Sequence, residues 1–154
     1  MNILEAITLK KDLEKRIENL GSRYVGNLTV LKGGKPHEDP NELLKEMDKS
    51  IIQLNDLCYR IDAADLYVKN STGKTLIELV IERESLTTRL NVLRNALNEV
   101  TFGSYNDYGY NSRREVEFDV VVSIESISKL VDETEEQLRQ VTSEIQKLDV
   151  KTEI

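Results

Sequence analysis

Gly73-Lys74-Thr75 is the run in this chain that most suggests chemistry, because a phosphate-binding loop ends in those three residue types. Such a loop also needs a glycine five residues before Gly73, where this chain has Val68, and a strand leading into it. A long helical pattern leads in instead, so the same residues read more simply as the connector and cap between two helices. His37, the one histidine, sits in Pro36-His37-Glu38-Asp39, where acidic neighbours suggest metal ligation. A single imidazole in a Gly/Pro loop reads as solvated, Asp39 is wanted as a helix cap, and a catalytic triad has no second histidine to draw on. No metal, cofactor or catalytic residue is expected. The single cysteine, Cys58, has no partner for an intramolecular disulfide and reads as a small apolar residue on a helix face. Arg83 stands in an otherwise apolar row, where a buried guanidinium needs a carboxylate to offset its desolvation. Asp62 and Asp65 are its expected partners, in a pair that fixes helix register; anion binding in a cleft is the other reading.

The elements that position these residues are legible as three rows at alternating three- and four-residue steps. The first is Leu44, Met47, Ile51, Leu54, Cys58, Ile61, Asp65, Val68. The second is Leu76, Leu79, Arg83, Leu86, Leu90, Leu93, Leu97, Val100, and the third is Ile124, Ile127, Val131, Thr134, Leu138, Val141, Ile145, Leu148. Of these 24 positions 21 are apolar, where the chain-wide 39% predicts about nine. A period near 3.5 holds one stripe of each helix toward a partner, as in coiled coils.

Four helices are therefore predicted, at about 3–24, 40–69, 76–100 and 124–149. The first carries a shorter row, Ala6, Leu9, Leu13, Ile17, Leu20 and Tyr24, whose steps lie nearer an eleven-residue period. Asp39 caps the second helix, Pro40 opens its first turn, and Glu42 completes a capping box; Thr75 and Glu78 repeat the pattern at the third, and Ser123 caps the fourth. The connector Asn70–Lys74 is short enough to fold the second and third helices into an antiparallel hairpin. Two strands are expected, at 28–31 (Leu28-Thr29-Val30-Leu31) and over the alternating stretch 115–122, forming a minor two-stranded β element. Residues 101–111 hold Phe102, Tyr105, Tyr108 and Tyr110, half of the eight aromatic side chains, and make a candidate surface for a protein partner.

A chain of 154 residues suits one domain, 1–154. A net charge of −7 without a basic run argues against nucleic acid, no segment approaches a membrane span, and the N-terminus lacks a basic head before an apolar stretch. A cytoplasmic protein is expected.

With the helices placed, the chain resembles the septicolysin-like family of small uncharacterised bacterial proteins nearly end to end. The likeness is most specific in Gly73-Lys74-Thr75-Leu76-Ile77-Glu78, Glu82-Arg83, Arg89, Ser112-Arg113-Arg114-Glu115-Val116 and Lys151-Thr152-Glu153-Ile154. Asp62-Ala63-Ala64-Asp65 departs from a stretch that is usually Asn/Thr/Arg-rich, and Asp149-Val150 lacks the usual aromatic. The resemblance implies a helical, oligomer-forming fold with no established activity. The family name suggests a cytolysin; the missing export signal, the missing membrane-inserting strands and the charged outer helix faces argue against one.

The sequence thus reads as a mostly-α helical bundle with an antiparallel coiled-coil hairpin. Its function reads as self-association, a homo-oligomer (dimer or higher) serving a structural or interaction role, with a chaperone-like clamp as one form. The alternative is an enzyme or small-anion binder using Arg83, Arg89 and Arg113 with Glu78, Glu82 and Glu115, residues that match the family pattern and mix charges as a cleft does.

Overall fold

The computed structural model describes residues 1–103 and 119–154, and these are mostly α. Four long helices occur in order: α1 (Ile3–Gly26), α2 (Pro40–Tyr67), α3 (Leu76–Asn98), which runs into a π-helical turn (Glu99–Gly103), and α4 (Ile124–Lys151). Their starts follow from local side chains. Asn2 opens α1 with a capping box: its Oδ1 accepts the Glu5 N–H at 2.8 Å, and the Glu5 carboxylate accepts the Asn2 N–H at 3.0 Å. Asp39 accepts the Asn41 N–H at 2.9 Å with Pro40 at the first helical position. Glu42 does not close the expected box there; it takes the Lys45 ammonium at 2.6 Å. Ser123 caps α4 by accepting the Ser126 N–H at 3.1 Å.

The expected two-stranded β element is absent from the described residues, which hold only two isolated bridges, Asn2 with Glu153 and Lys69 with Thr75. Residues 28–31 form a loop closed by a turn at Gly33, φ +83°, in which the Gly34 N–H reaches the Leu31 carbonyl at 2.7 Å. A four-residue β-branched run has strand propensity but needs an edge to pair with, and here none reaches it. Of the second expected strand, 115–118 lies outside the described residues, and Val120, Val121 and Val122 are exposed and unpaired in any ladder.

The chain divides into two compact units. The first comprises residues 1–76 and 146–154, with α1 packed along α2 over a core of Ala6, Leu13, Leu57 and Ile61, joined by Ile7, Leu54 and Ile154. The innermost row of α2 is Leu43, Ser50, Leu57 and Ala64, one residue earlier than the expected Leu44, Ile51, Cys58 and Asp65, which are half-buried. The two rows share Met47, Leu54, Ile61 and Val68, so apolar counting alone favours Ile51 and Cys58. Packing instead favours the small Ser50 and Ala64, which let α1 come close. On α1 the row is likewise corrected: Leu9 is exposed and Lys10 is half-buried in its place. The steps from Ala6 through Lys10, Leu13, Ile17, Leu20 and Tyr24 then become 4-3-4-3-4, a heptad matched to that of α2. The C-terminal segment straps this unit: the Ile3 N–H donates to Thr152 O at 3.1 Å and the Ile154 N–H to Met1 O at 2.9 Å. Arg23 at the end of α1 grips Glu38 with two guanidinium N–H groups, while Asn27 Oδ1 accepts the Glu38 N–H at 3.0 Å.

The second unit, residues 77–145, contains most of α3 and α4 as far as Ile145. Leu90, Ile127 and Val131 form its core with Leu93, Ala96, Leu97, Val100 and Leu138 around them. Arg94 meets Glu135 across the pair at 2.6 Å. Thr134, the polar exception of the α4 row, is 1% exposed and donates its hydroxyl to the Leu130 carbonyl at 2.7 Å.

The register of α2 can be tested by truncation. Leu57→Ala should cost about 2–5 kcal/mol in urea unfolding, and Cys58→Ala under about 1 kcal/mol, being half-buried with little volume to lose. Equal losses at the two positions would return the seam to the row containing Cys58.

Candidate functional site

The first unit holds a half-buried carboxyl whose ionisation is hindered, Asp65, and a groove walled largely by apolar side chains. Asp65 lies half-buried near the end of α2, with Asp62 one turn before it, Asp149 on the last turn of α4, and Lys10 on α1. Burial holds its carboxyl above the ordinary aspartate range; Asp62 and Asp149 push the same way, and the Lys10 ammonium opposes them. A carboxyl raised in this way acts as a proton donor only where it reaches a substrate. Asp65 does not line the groove, and the helical period sets it about 160° around α2 from Ala63, a residue that does.

That groove has a volume of about 350 Å³. It runs along Tyr59, Arg60, Ala63, Ala64, Tyr67 and Val68 of α2 to Thr152, Glu153 and Ile154. Tyr59 belongs to a row on the face of α2 turned away from α1, and Tyr67 flanks that row. Ile52, Tyr59 and Leu66 recur every seven residues and are 68%, 76% and 55% exposed, and Tyr67 beside them is 80% exposed. Arg60 is held from one turn back by Asp56 at 3.9 Å. A second groove, about 290 Å³, opens on the other side of Arg60, with Leu9 of α1 in its wall. This face is absent from the expectations drawn from the inner rows; its signal in the sequence is the seven-residue spacing of Ile52, Tyr59 and Leu66.

The residues singled out by sequence fall as follows. Glu78, Glu82 and Arg89 share one side of α3 by the helical period, with Glu82 half-buried; Arg83 is half-buried on the seam, roughly 100–140° from them around the helix. Arg113 and Glu115 lie outside the described residues, as do positions 104–111 of the tyrosine-rich loop; Phe102, just before them, is 65% exposed. Asp62 is exposed and Cys58 half-buried on α2. The Gly-Lys-Thr run is a self-contained turn. Asn70 Oδ1 accepts the N–H groups of Thr72 at 3.0 Å and Lys74 at 2.9 Å and the Thr72 hydroxyl at 2.9 Å, while the Gly73 N–H donates to Asn70 O at 3.1 Å. Gly73 adopts φ +87°, which the absence of a side chain permits. The amides that would cradle a phosphate are already committed to Asn70. His37 is exposed, and among the described residues no group of three His, Cys, Asp or Glu side chains is placed to hold a metal ion.

The Asp65 environment yields a signed prediction. A carboxyl raised in the folded state favours the fold when protonated, and that benefit is lost as pH rises from the unfolded aspartate value through the folded one. Asp65→Asn removes the loss. It should stabilise the protein at pH 7 by up to about 1 kcal/mol after solvent screening, with the gain shrinking to nothing on acidification below the ordinary aspartate range. Urea unfolding at several pH values measures it. Destabilisation at pH 7 would show that the charged carboxylate makes a contact the amide cannot replace.

No helix among the described residues is long and apolar enough to cross a membrane. No curated protein matches the chain. A crystal structure of a functionally unknown conserved protein from Corynebacterium diphtheriae is similar over 100% of this chain and 98% of that one, at 26% identity and a TM-score of 0.84. The helical arrangement built above is thus shared with a protein whose activity is itself unassigned. Residues 10–154 match DUF6847, a family of unknown function, and the chain belongs to that family.

Proposed function

We propose that this protein is a non-enzymatic, self-associating structural or interaction protein built on coiled-coil helices. The observation that carries this reading is the outer row of α2: Ile52, Tyr59 and Leu66, at 68%, 76% and 55% exposure. In heptad terms this is the position farthest from the α1 seam, where a helix meant for solvent carries charge. Burying one such side chain contributes roughly 1.5–3 kcal/mol, so the row favours association if a partner presents a matching surface. α3 supports the same reading in the second unit, where Ile81 and Val92 are 56% and 62% exposed away from an inner row that is buried or half-buried throughout.

In this reading the heptads set which surfaces meet, and Arg83, half-buried among apolar neighbours in the α3 row, serves to select register. The setting is the cytoplasm, and the partner is a second copy or another protein. The septicolysin-like resemblance belongs here as a likeness among helical, oligomer-forming proteins and not as a cytolytic activity.

Size-exclusion chromatography with light scattering tests the proposal between tens of micromolar and tens of nanomolar protein. The expected result is a species at twice the 17.6 kDa chain mass, or a higher multiple, that dissociates only on dilution. A well-folded 17.6 kDa species across the whole range would overturn it.

A further inference from the structure

Resting on that reading, we infer that self-association runs through the outer face of α2, which crosses the same helix of a second copy antiparallel, with Ala63 at the two-fold axis. A two-fold contact needs a surface complementary to itself, with projection and recess on the same face. This face has both. Tyr59 and Tyr67 stand two turns apart, 76% and 80% exposed, and Ala63 leaves a gap midway between them that continues into the groove ending at Ile154.

The helical period settles how two such faces fit. A two-fold axis at Ala63 brings residue 59 of one copy level with residue 67 of the other. The tyrosines diverge from Ala63 by about 40° in opposite directions. At each level one copy therefore contributes a ring on one side of the contact line and its mate contributes a ring on the other, so the rings interleave without collision. Arg60 lies on the Tyr67 side of Ala63 and reaches the level of the second copy's Tyr67, giving a cation over an aromatic face. Leu66, on the opposite side, meets the second copy's Tyr59. The small methyl of Ala63 allows axes about 8–10 Å apart.

Charge and area point the same way. In a chain of net charge −7, the carboxylates of Asp56 and Glu153 that border this contact are each paired within their own chain: Asp56 holds Arg60 and comes level with the uncharged Asn70 of the second copy, and Glu153, in the groove wall, takes the Met1 ammonium at 2.5 Å. Two tyrosines present roughly 150–250 Å² each. With Ile52, Leu66 and the polar rim, the face approaches the roughly 800 Å² per partner of a standard stable interface.

The test combines a disruption with a geometric cross-link in the full chain. Tyr59→Glu should leave the far-UV circular dichroism unchanged, because that side chain is 76% exposed, and weaken the dimer at least about a hundredfold, since the change enters the contact twice. In a Cys58→Ser background, Ala63→Cys should form a covalent dimer on mild oxidation, whereas Ile52→Cys, which faces the connector of the second copy and not its own mate, should not. A native dimer that survives Tyr59→Glu and fails to cross-link at position 63 would overturn this interface while leaving self-association intact. Disruption by Tyr59→Glu with cross-linking at 52 but not at 63 would overturn the antiparallel crossing. A native chain that is monomeric throughout removes both this inference and the reading it rests on.

Discussion

A helix with apolar residues on two opposite sides cannot satisfy both with one neighbour, and α2 is such a helix. Its inner row of Leu43, Ser50, Leu57 and Ala64 is spent on α1, and nothing in the first unit covers Ile52, Tyr59 and Leu66 on the far side. The inner side is the more constrained. It needs small residues at two of four positions so that α1 can lie close, and it draws the aliphatic stem of Lys10 into the α1 heptad where a leucine stood one residue earlier. The outer side has large aromatic residues separated by alanine. These are different solutions to different partners, one a permanent neighbour in the same chain and the other a surface with shape but no intramolecular mate.

Polar residues in the buried rows are accommodated locally. Ser50 and Thr134, 2% and 1% exposed, donate their hydroxyls to carbonyls four residues back, Glu46 O at 3.0 Å and Leu130 O at 2.7 Å. Each hydroxyl is thus satisfied by its own helix, and among the described residues no buried side-chain nitrogen or oxygen lacks a hydrogen-bond partner. Asp65 differs because a carboxylate cannot use that device: it has no proton to give a carbonyl until it is neutralised. Its half-buried position beside Asp62 and Asp149, eased only by Lys10, leaves a cost that a hydroxyl at the same place would avoid.

Much of the architecture was legible in the residues because long heptad rows and caps are local signals. The start of α2 at Asp39-Pro40, the start of α4 at Ser123, and the row from Leu76 to Val100 are set by neighbours within one or two turns, and sequence displays those directly. What could not be read depends on distant residues. Whether Leu57 or Cys58 faces inward is decided by the small side chains beneath α1, and a row shifted by one residue shares half its members with the true one. The β-branched run at 28–31 failed as a strand for a related reason: propensity is local, whereas a ladder partner is not. Of the candidate site, the Arg/Glu set rests on residue type, which carries no information on whether side chains converge.

The same distinction explains why the Gly-Lys-Thr run carries no phosphate chemistry. A phosphate loop works because several amides are left unpaired and aimed at one point. Here the amides of Thr72, Gly73 and Lys74 converge too, but on Asn70, whose side-chain and main-chain oxygens already occupy that point. The turn then closes with the Leu76 N–H on Val68 O at 2.8 Å, directly after the last turn of α2. Asn70 thereby fixes where α2 stops, leaving Tyr67 as the last residue of the helix and keeping it one helical turn beyond Ala63. A connector that resembles a nucleotide site is in physical terms the stop that positions the outer tyrosine row, and its chemistry is spent on geometry.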